Sequence, residues 1–222
     1  MAKLKITFFS DTHNKHGFHP LTNYDHFLES DMAIFCGDMS GRGYKHEIMN
    51  FVEWYKKMPV KHKLFIAGNH DFYWEQHSKE EKEELLKDTD LIYLEDSNVV
   101  IEGLKIHGSP ITPYFHNWAF NRFPEDIEKH WDLIPSDTDI LVTHGPPFGF
   151  LDLVNNVYNN NKRCGCPYLV KQIFERIKPK IHAFGHIHSG FGVVEKDGIK
   201  FINSAVLNDD YQLVNDPITI EL

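Results

Sequence analysis

The strongest constraint on this chain is a pattern that recurs five times: a short apolar run stops abruptly at residues able to bind a metal. Lys63-Leu-Phe-Ile-Ala-Gly-Asn-His-Asp71 is the fullest case. Gly68 breaks the run and lets the backbone turn, so that Asn69 and His70 leave the sheet edge together. The run 6–9 precedes Asp11-Thr-His13, and 32–36 precedes Gly37-Asp38. In the second half, 140–143 precedes His144, and 181–184 precedes Gly185-His-Ile-His188. Apolar runs of this length, bounded by glycine, suit interior strands. Five strand tails therefore present Asp, Asp, Asn, His and a pair of His.

Carboxylate, imidazole and amide oxygen are the ligands of hard and borderline divalent metals, and a site for two metals needs one group shared between them. Asp38 is the natural bridge, being the lone carboxylate at its strand tail. The spacing of Asp11 and His13 predicts both on one side of an extended segment, sharing one ion. With one of the late histidines they complete one site, and Asn69, His144 and the other late histidine complete the second. His70 is left over, adjacent to a ligand but unbound, which suits it to protonate a leaving alkoxide. His16 and His19, in the loop 14–23, read as exposed histidines near the site and are kept as substrate contacts rather than ligands.

Between the tails, 44–57 has Ile48, Phe51, Val52 and Tyr55 at helical spacing and reads as an amphipathic helix ended by Pro59. The segment 71–86 reads as a polar helix or helix pair, and its run Lys79-Glu-Glu-Lys-Glu-Glu84 as a solvated face. Short strands follow at 91–94, 98–101 and 104–107, the last two joined by Glu102-Gly103 as a hairpin. The loop 111–123 carries Tyr114, Phe115, Trp118, Phe120 and Phe123. It reads mainly as a second small core, with Trp118 kept as a residue that stacks on a substrate base. A short helix is expected at 124–131. The asparagine-rich stretch 151–164, with Asn155, Asn156, Asn159, Asn160 and Asn161, is expected as a loop near the site. Tyr168, Leu169, Ile173, Phe174 and Ile177 share a helical face that Pro179 closes, and the chain ends in strands at 192–195, 199–203 and 218–222.

Length and composition narrow the class. A chain of 222 residues without Gly- or Pro-rich linkers predicts one domain spanning 1–222. Hydrophobic content of 41% with 14% aromatic residues excludes disorder, and no run approaches the ~18 apolar residues of a membrane span. The start runs straight into a strand with no cleavage site, so a cytoplasmic protein without a membrane partner is expected. Three cysteines, one inside an apolar run, give neither a disulfide framework nor a zinc knuckle. A formal charge of -9 with no basic stripe argues against long nucleic acid, while a small anion remains a suitable partner wherever bound cations override the sign of the molecule. Self-association into a homo-oligomer is left open.

In order along the chain, Asp11-Thr-His13, Gly37-Asp38, Gly68-Asn-His-Asp71, Thr143-His144 and Gly185-His-Ile-His188 resemble the five blocks of the calcineurin-like metallophosphoesterases. Within that superfamily the chain is similar to the metallophosphoesterase-domain-containing, class III phosphodiesterase-like group, through Ser10-Asp-Thr-His13, Ile66-Ala-Gly-Asn-His70, Gly108-Ser-Pro110, Thr143-His-Gly-Pro-Pro147, Gly149-Phe-Leu-Asp152 and Phe184-Gly-His-Ile-His188. The resemblance implies an α/β fold, a four-layer α/β/β/α sandwich of two mixed sheets flanked by helices. It implies Asp11, His13, Asp38 and His188 at one metal, Asp38, Asn69, His144 and His186 at the other, and His70 as the leaving-group histidine. Phosphoprotein phosphatases continue their second block into an Asp-Arg-Gly turn, whereas this chain reads Gly37-Asp-Met-Ser-Gly-Arg-Gly43, which lowers that reading. Some animal members of the group lack the last histidine that His188 supplies here.

The function expected is a phosphodiesterase that uses two divalent ions, with manganese first and Fe, Zn, Co or Ni admitted by the mixed donor set. A hydroxide bridging the metals attacks phosphorus in line, Asp38 and His70 are the catalytic residues, and Asn69, His70, His16 and Trp118 contact the substrate. Substrates of nucleotide size are favoured, 2′,3′- or 3′,5′-cyclic nucleotides in particular, as the family implies. The alternatives are a catalytically weak nucleotide-binding scaffold on the same fold, or a phosphomonoesterase or protein phosphatase.

Overall fold

Strand alternation sorts the apolar side chains into separate layers. The computed structural model describes residues 3–18, 21–154 and 162–222. The first strands are β1 (Lys5–Phe9), β2 (Met32–Cys36), β3 (His62–Ile66) and β4 (Leu91–Tyr93). Along them Phe8, Ile34, Leu64 and Ile66 fall in one apolar cluster, and Phe9, Phe35 and Phe65 in another.

The hairpin expected around Glu102-Gly103 is β5 (Ser97–Ile101) with β6 (Leu104–Ser109), paired antiparallel. A two-residue parallel pair, β7 (Thr112–Pro113) and β8 (Asn121–Arg122), closes the aromatic loop. Then come β9 (Ile140–Thr143), the small pair β10 (Leu153–Val154) and β11 (Lys162–Arg163), β12 (Ile181–Phe184), β13 (Gly192–Lys196), β14 (Ile199–Asn203) and β15 (Ile218–Glu221). Five strands form a sheet in the order β15-β1-β2-β3-β4, and six form another in the order β13-β14-β12-β9-β6-β5. Both sheets are mixed: the five-stranded one is parallel except for its antiparallel edge strand β15, and the six-stranded one is parallel in the middle with both edge strands antiparallel.

The inner faces meet: Phe8, Ile34 and Leu64 share a fully buried cluster with Ile106, Ile140, Val142, Ile181 and Ile202 of the second sheet. Helices cover the outer faces. Helix α1 (Lys45–Tyr55) buries Ile48, Phe51, Val52 and Tyr55 against Phe9, Phe35 and Phe65. The segment 71–86 is a pair, α2 (Phe72–Gln76) and α3 (Lys79–Leu86), separated where Ser78 caps the second helix. Over the second sheet lie α4 (Pro124–Asp132) and α5 (Pro167–Gln172), the latter continuing as a π turn over Ile173–Ile177. Trp131, Leu169, Ile173 and Ile177 pack there with Leu141 and Phe201. This is the four-layer sandwich the sequence predicts. No helix among the described residues is long and apolar enough to cross a membrane.

Two expectations need correction. His16 is not exposed and does not line the cleft described below: it is 4% exposed and packs edge-on to Phe51 and against Trp54, with ring centroids 5.6 and 5.2 Å away. Burial among aromatic rings of α1 pushes its pKa down to about 4, as expected of a neutral core imidazole. The aromatic loop 111–123 is not one small core. Ile111, Ala119 and Phe120 are buried, Tyr114 and Phe123 stack on each other in solvent, and Phe115 and Trp118 are half-buried at the cleft described below. His19 and Asn155, Asn156, Asn159, Asn160 and Asn161 lie outside the described residues.

Candidate metal centre

The carboxyl ends of β1, β2, β3, β9 and β12 open onto one edge shared by both sheets, and the loops leaving them interlock. The Asp11 amide donates to the Gly37 carbonyl at 2.9 Å, and the His13 amide to the Asp38 carbonyl at 3.1 Å. The sheets are tied at the same level, where Ser10 exchanges backbone bonds with Ser204 and Val206. Asp11 and His13 do not sit on extended backbone as their spacing predicts. Their φ angles are 55° and 39°, and those of Asp38 and His186 are 60° and 68°. Left-handed backbone at four non-glycine residues in one site is strain that only the surrounding hydrogen bonds hold in place.

The donor atoms converge. Asp11 with His13 and His188, His13 with Asp38 and His70, and Asp38 with His144 and His186 each form a group whose candidate ligand atoms lie within 4.8 Å of one another. Asn69 joins through its Oδ1, 2.9 Å from His144 Nε2. The orientation of the imidazoles is fixed from behind. The Nδ1–H of His13 donates to the Ser40 carbonyl at 3.1 Å, that of His144 to the Cys36 carbonyl at 2.9 Å, and that of His188 to the Asn208 carbonyl at 3.0 Å. With Nδ1 so engaged, Nε2 is the atom each ring turns into the site, and all three face carboxylates: His13 and His144 stand 3.6 and 3.3 Å from Asp38 Oδ2, and His188 stands 3.5 Å from Asp11 Oδ1.

Lone pairs facing carboxylate oxygens repel unless a proton or a cation lies between them. His13 Nε2 is buried without any hydrogen-bond partner, and among the described residues both buried carboxylates have imidazoles but no Lys or Arg side chain opposite them. Buried charge of one sign calls for metal ions, and the donor set of carboxylate, imidazole and amide oxygen fits divalent ones. The field at His144 points the same way. Burial opposes its protonation, but the Asp38 carboxylate outweighs this and holds its pKa up at about 9. His13 and His186 are pushed down to about 4 and about 3 by burial.

Asp71 organises the turn that carries Asp38 from below. Its Oδ2 accepts the amides of Gly68 at 2.8 Å, Asp38 at 2.9 Å and Met39 at 3.3 Å, and its Oδ1 accepts the Ser40 amide at 3.0 Å and hydroxyl at 2.7 Å. Close approach makes glycine obligatory at Gly185, where a Cβ would stand 2.1 Å from Asp11 Oδ2. His70 sits at the rim, its Nδ1 donating to the Gly41 carbonyl at 2.8 Å and its amide to Asp38 Oδ1 at 2.8 Å. Trp118 stacks on the His70 ring at a centroid distance of 4.3 Å.

His13, Asp38, Asn69, His70, His186 and His188 line an open cleft of about 830 Å³, with Phe115 and Trp118 on one wall and Asn208, Asp209, Asp210 and Tyr211 on another. Sequence reasoning missed the 208–211 wall. Tyr211 has φ 57° and sets its ring edge-on to His13 and His188, at 5.0 and 5.2 Å. It follows no strand tail, and nothing in its local sequence marks it.

A family model for calcineurin-like phosphoesterase matches residues 4–190. The chain belongs to the calcineurin-like phosphoesterase family. Metallophosphoesterase domain-containing protein 1 of Homo sapiens is 38% identical over 237 residues, covering 96% of this chain and 69% of that protein. A UPF0046 protein of Caenorhabditis elegans is 33% identical over 226 residues, covering 97% of this chain and 74% of that protein. Among solved structures, phosphopantetheinyl hydrolase (PptH) from Mycobacterium tuberculosis superimposes with a TM-score of 0.62, at 14% identity, over 95% of this chain and 92% of its own. The protein TT1561 of Thermus thermophilus gives 0.61, also at 14% identity, over 91% and 89%. At that identity the likeness is one of fold. Membership of the family makes this chain a metal-dependent phosphoesterase by class.

Proposed function

We propose that the chain hydrolyses small phosphodiesters, cyclic nucleotides among them, with two divalent ions sharing Asp38. Asp11, His13 and His188 would complete the donors at one ion, and Asn69, His144 and His186 at the other. When bound, the ions supply positive charge at the transferring phosphoryl group and acidify the attacking water. Manganese is the first choice, with Fe, Zn, Co and Ni compatible with mixed nitrogen and oxygen donors.

The observation that carries the reading is the set of three imidazoles, each oriented by a backbone carbonyl behind its Nδ1 and turning its Nε2 onto a buried carboxylate. His70 differs from them in sitting at the rim with an open face toward the cleft. Its Nδ1 bond to Gly41 leaves Nε2 to deliver a proton to the departing oxygen, and the Trp118 stack fixes the ring plane for that transfer. Preference for a diester has its own support. Among the described residues lining the cleft none is Lys or Arg, and Asp209 and Asp210 stand at its wall. A dianionic monoester would meet less compensation there than a monoanionic diester.

The test uses metal-loaded protein and two diesters, one with an alkyl alcohol and one with nitrophenolate as leaving group. His70→Ala keeps its metal and loses roughly 10²–10⁴ in kcat on the alkyl substrate, and much less on nitrophenolate, which needs no proton. Equal losses on both would remove the general-acid role. Absence of diester hydrolysis with every metal, beside turnover of a monoester, would overturn the diester reading.

A further inference from the structure

Arg42 has a role that the metal centre does not absorb. The chain has four arginines, and the other three are engaged: Arg122 with Glu75, Arg163 with Asp152, and Arg176 with Gln172 and two backbone carbonyls. Arg42 is exposed, and only its backbone amide is bonded, to Glu47 Oε2 at 3.1 Å. In a chain of net charge -9, a guanidinium with no carboxylate partner among the described residues stands out.

The loop that carries it is built rather than floppy. Glu47 Oε1 accepts the Gly41 amide at 3.3 Å and the Asn14 side chain at 2.6 Å, its Oε2 accepts the Tyr44 amide at 2.9 Å, and Ser40 Oγ accepts the Gly43 amide at 2.9 Å. The same loop holds His70 through the Gly41 carbonyl. The backbone at Arg42 therefore has a fixed placement relative to the histidine that attends the leaving oxygen, and its side chain lines the hollow beside it. This second hollow, of about 620 Å³, shares His70 and Trp118 with the metal cleft and is otherwise walled by Tyr44, Phe72, His116 and Asn117. An in-line displacement sends the departing alcohol away from the attacking water, on the side of the group that protonates it. That side is His70, and the hollow lies beyond it.

We infer that this hollow is the leaving-group subsite, and that Arg42 selects diesters whose departing alcohol is a planar ring bearing its own anionic group, a carboxylate or a second phosphate. The inference rests on the phosphodiesterase reading. Hydrolysis breaks the bond from phosphorus to the ring oxygen, water supplies the new P–O bond, and the proton goes to the departing oxygen. The distal anion stays paired with the guanidinium throughout, so it contributes to binding and alignment. Aromatic walls give the ring a stacking surface.

Two substrates separate the terms: methyl 4-nitrophenyl phosphate and methyl 3-carboxy-4-nitrophenyl phosphate. Methoxide is too poor a leaving group to compete, so the nitrophenolate departs from both. With the metal-loaded protein, the carboxylated substrate is favoured about fivefold in kcat/KM at low salt, and the ratio shrinks at high ionic strength. Arg42→Gln brings the ratio to about one, and Arg42→Lys retains part of it. Because the readout is a ratio within each protein, general damage to folding cancels. A wild-type ratio near one overturns the inference, as does a ratio unchanged in Arg42→Gln. So does an equal fall on both substrates, which would put the guanidinium on the transferred phosphoryl group. If neither diester is hydrolysed, the phosphodiesterase reading has failed instead, and calorimetric titration with 5-hydroxy-2-nitrobenzoate decides the subsite: binding lost in Arg42→Gln supports it, equal binding by both proteins overturns it.

Discussion

Asp71→Asn tests whether the Asp38 carboxylate is held in place from beneath. Asp71 accepts four backbone amides and one hydroxyl, all directed at the turns that carry Asp38 and Gly68. An amide in its place keeps the shape but turns an NH2 toward donors. The less damaging rotamer places that NH2 beside Ser40, where the hydroxyl can reverse its bond but the backbone amide cannot. One buried amide is then left unpartnered, at about 1–3 kcal/mol. The three remaining bonds lose their charge assistance, at about 1 kcal/mol each. Removing a buried negative charge next to Asp38 offsets part of this, leaving an expected loss of about 2–4 kcal/mol in the stability of the metal-free protein. Because the Asp38 amide shifts with its cradle, metal affinity falls about 10- to 100-fold without disappearing. Chemical denaturation and metal titration measure the two quantities. A variant with unchanged stability and unchanged affinity would refute the reasoning and leave Asp71 a bystander.

Asp38→Ala should remove bound metal and activity together, and a variant retaining two ions per chain would exclude Asp38 as the bridge. Gly185→Ala places a methyl group 2.1 Å from Asp11 Oδ2 and 2.2 Å from Ser10 Oγ, so Asp11 must move by about an ångström and kcat/KM should fall about 10²-fold; wild-type kinetics would mean that Asp11 does not set the reaction geometry. His107 is fully buried with neither ring nitrogen bonded, and burial pushes its pKa down to about 4. The unfolded chain takes up this proton near pH 6.5 while the native state resists until about 4. Its contribution, about 3 kcal/mol, is therefore whole above pH 6.5 and lost as pH falls through that window. His107→Leu should flatten the fall in unfolding free energy between pH 6.5 and 4 relative to the wild type, and parallel curves would contradict the assignment.

The strands and most helices were legible because their signals are local. Each functional tail announces itself by an apolar run that ends in a donor, Glu102-Gly103 marks the turn of the β5–β6 hairpin, and Ile48, Phe51, Val52 and Tyr55 recur at the spacing of one helical face. What the sequence did not disclose was which polar side chains turn inward. His16 lies three residues beyond His13 in a loop of ordinary composition, and only the aromatic face of α1, distant in sequence, decides that it is core. Trp118 and Phe120 are two residues apart in one aromatic stretch, yet Phe120 is buried and Trp118 stands over His70. Hydrophobicity ranks them alike, and long-range packing separates them. Tyr211 was invisible for the same reason: its partners, His13 and His188, reach it only once both sheets are assembled.

The left-handed backbone at the strand tails explains why the site forms at all. Neighbouring strands run about 4.8 Å apart and stacked sheets about 10 Å apart. Tails that simply continued the strands would carry their side chains onward in parallel, and donors from different sheets would stay too far apart to share an ion. Instead Asp11, His13, Asp38 and His186 each reverse the chain at positive φ, and the groups they form with their neighbours lie within 4.8 Å. The reversal also turns backbone amides inward, which is how the Asp11 carboxylate comes to accept the His186 amide at 3.1 Å across the two sheets. Each such conformation costs of order 1 kcal/mol or more, and the interlocked loops from 11 to 14 and 37 to 40 hold it. The strain thus serves the convergence of the ligands: the energy that bends the tails is what brings carboxylates of two strands and imidazoles of two sheets close enough to need cations between them.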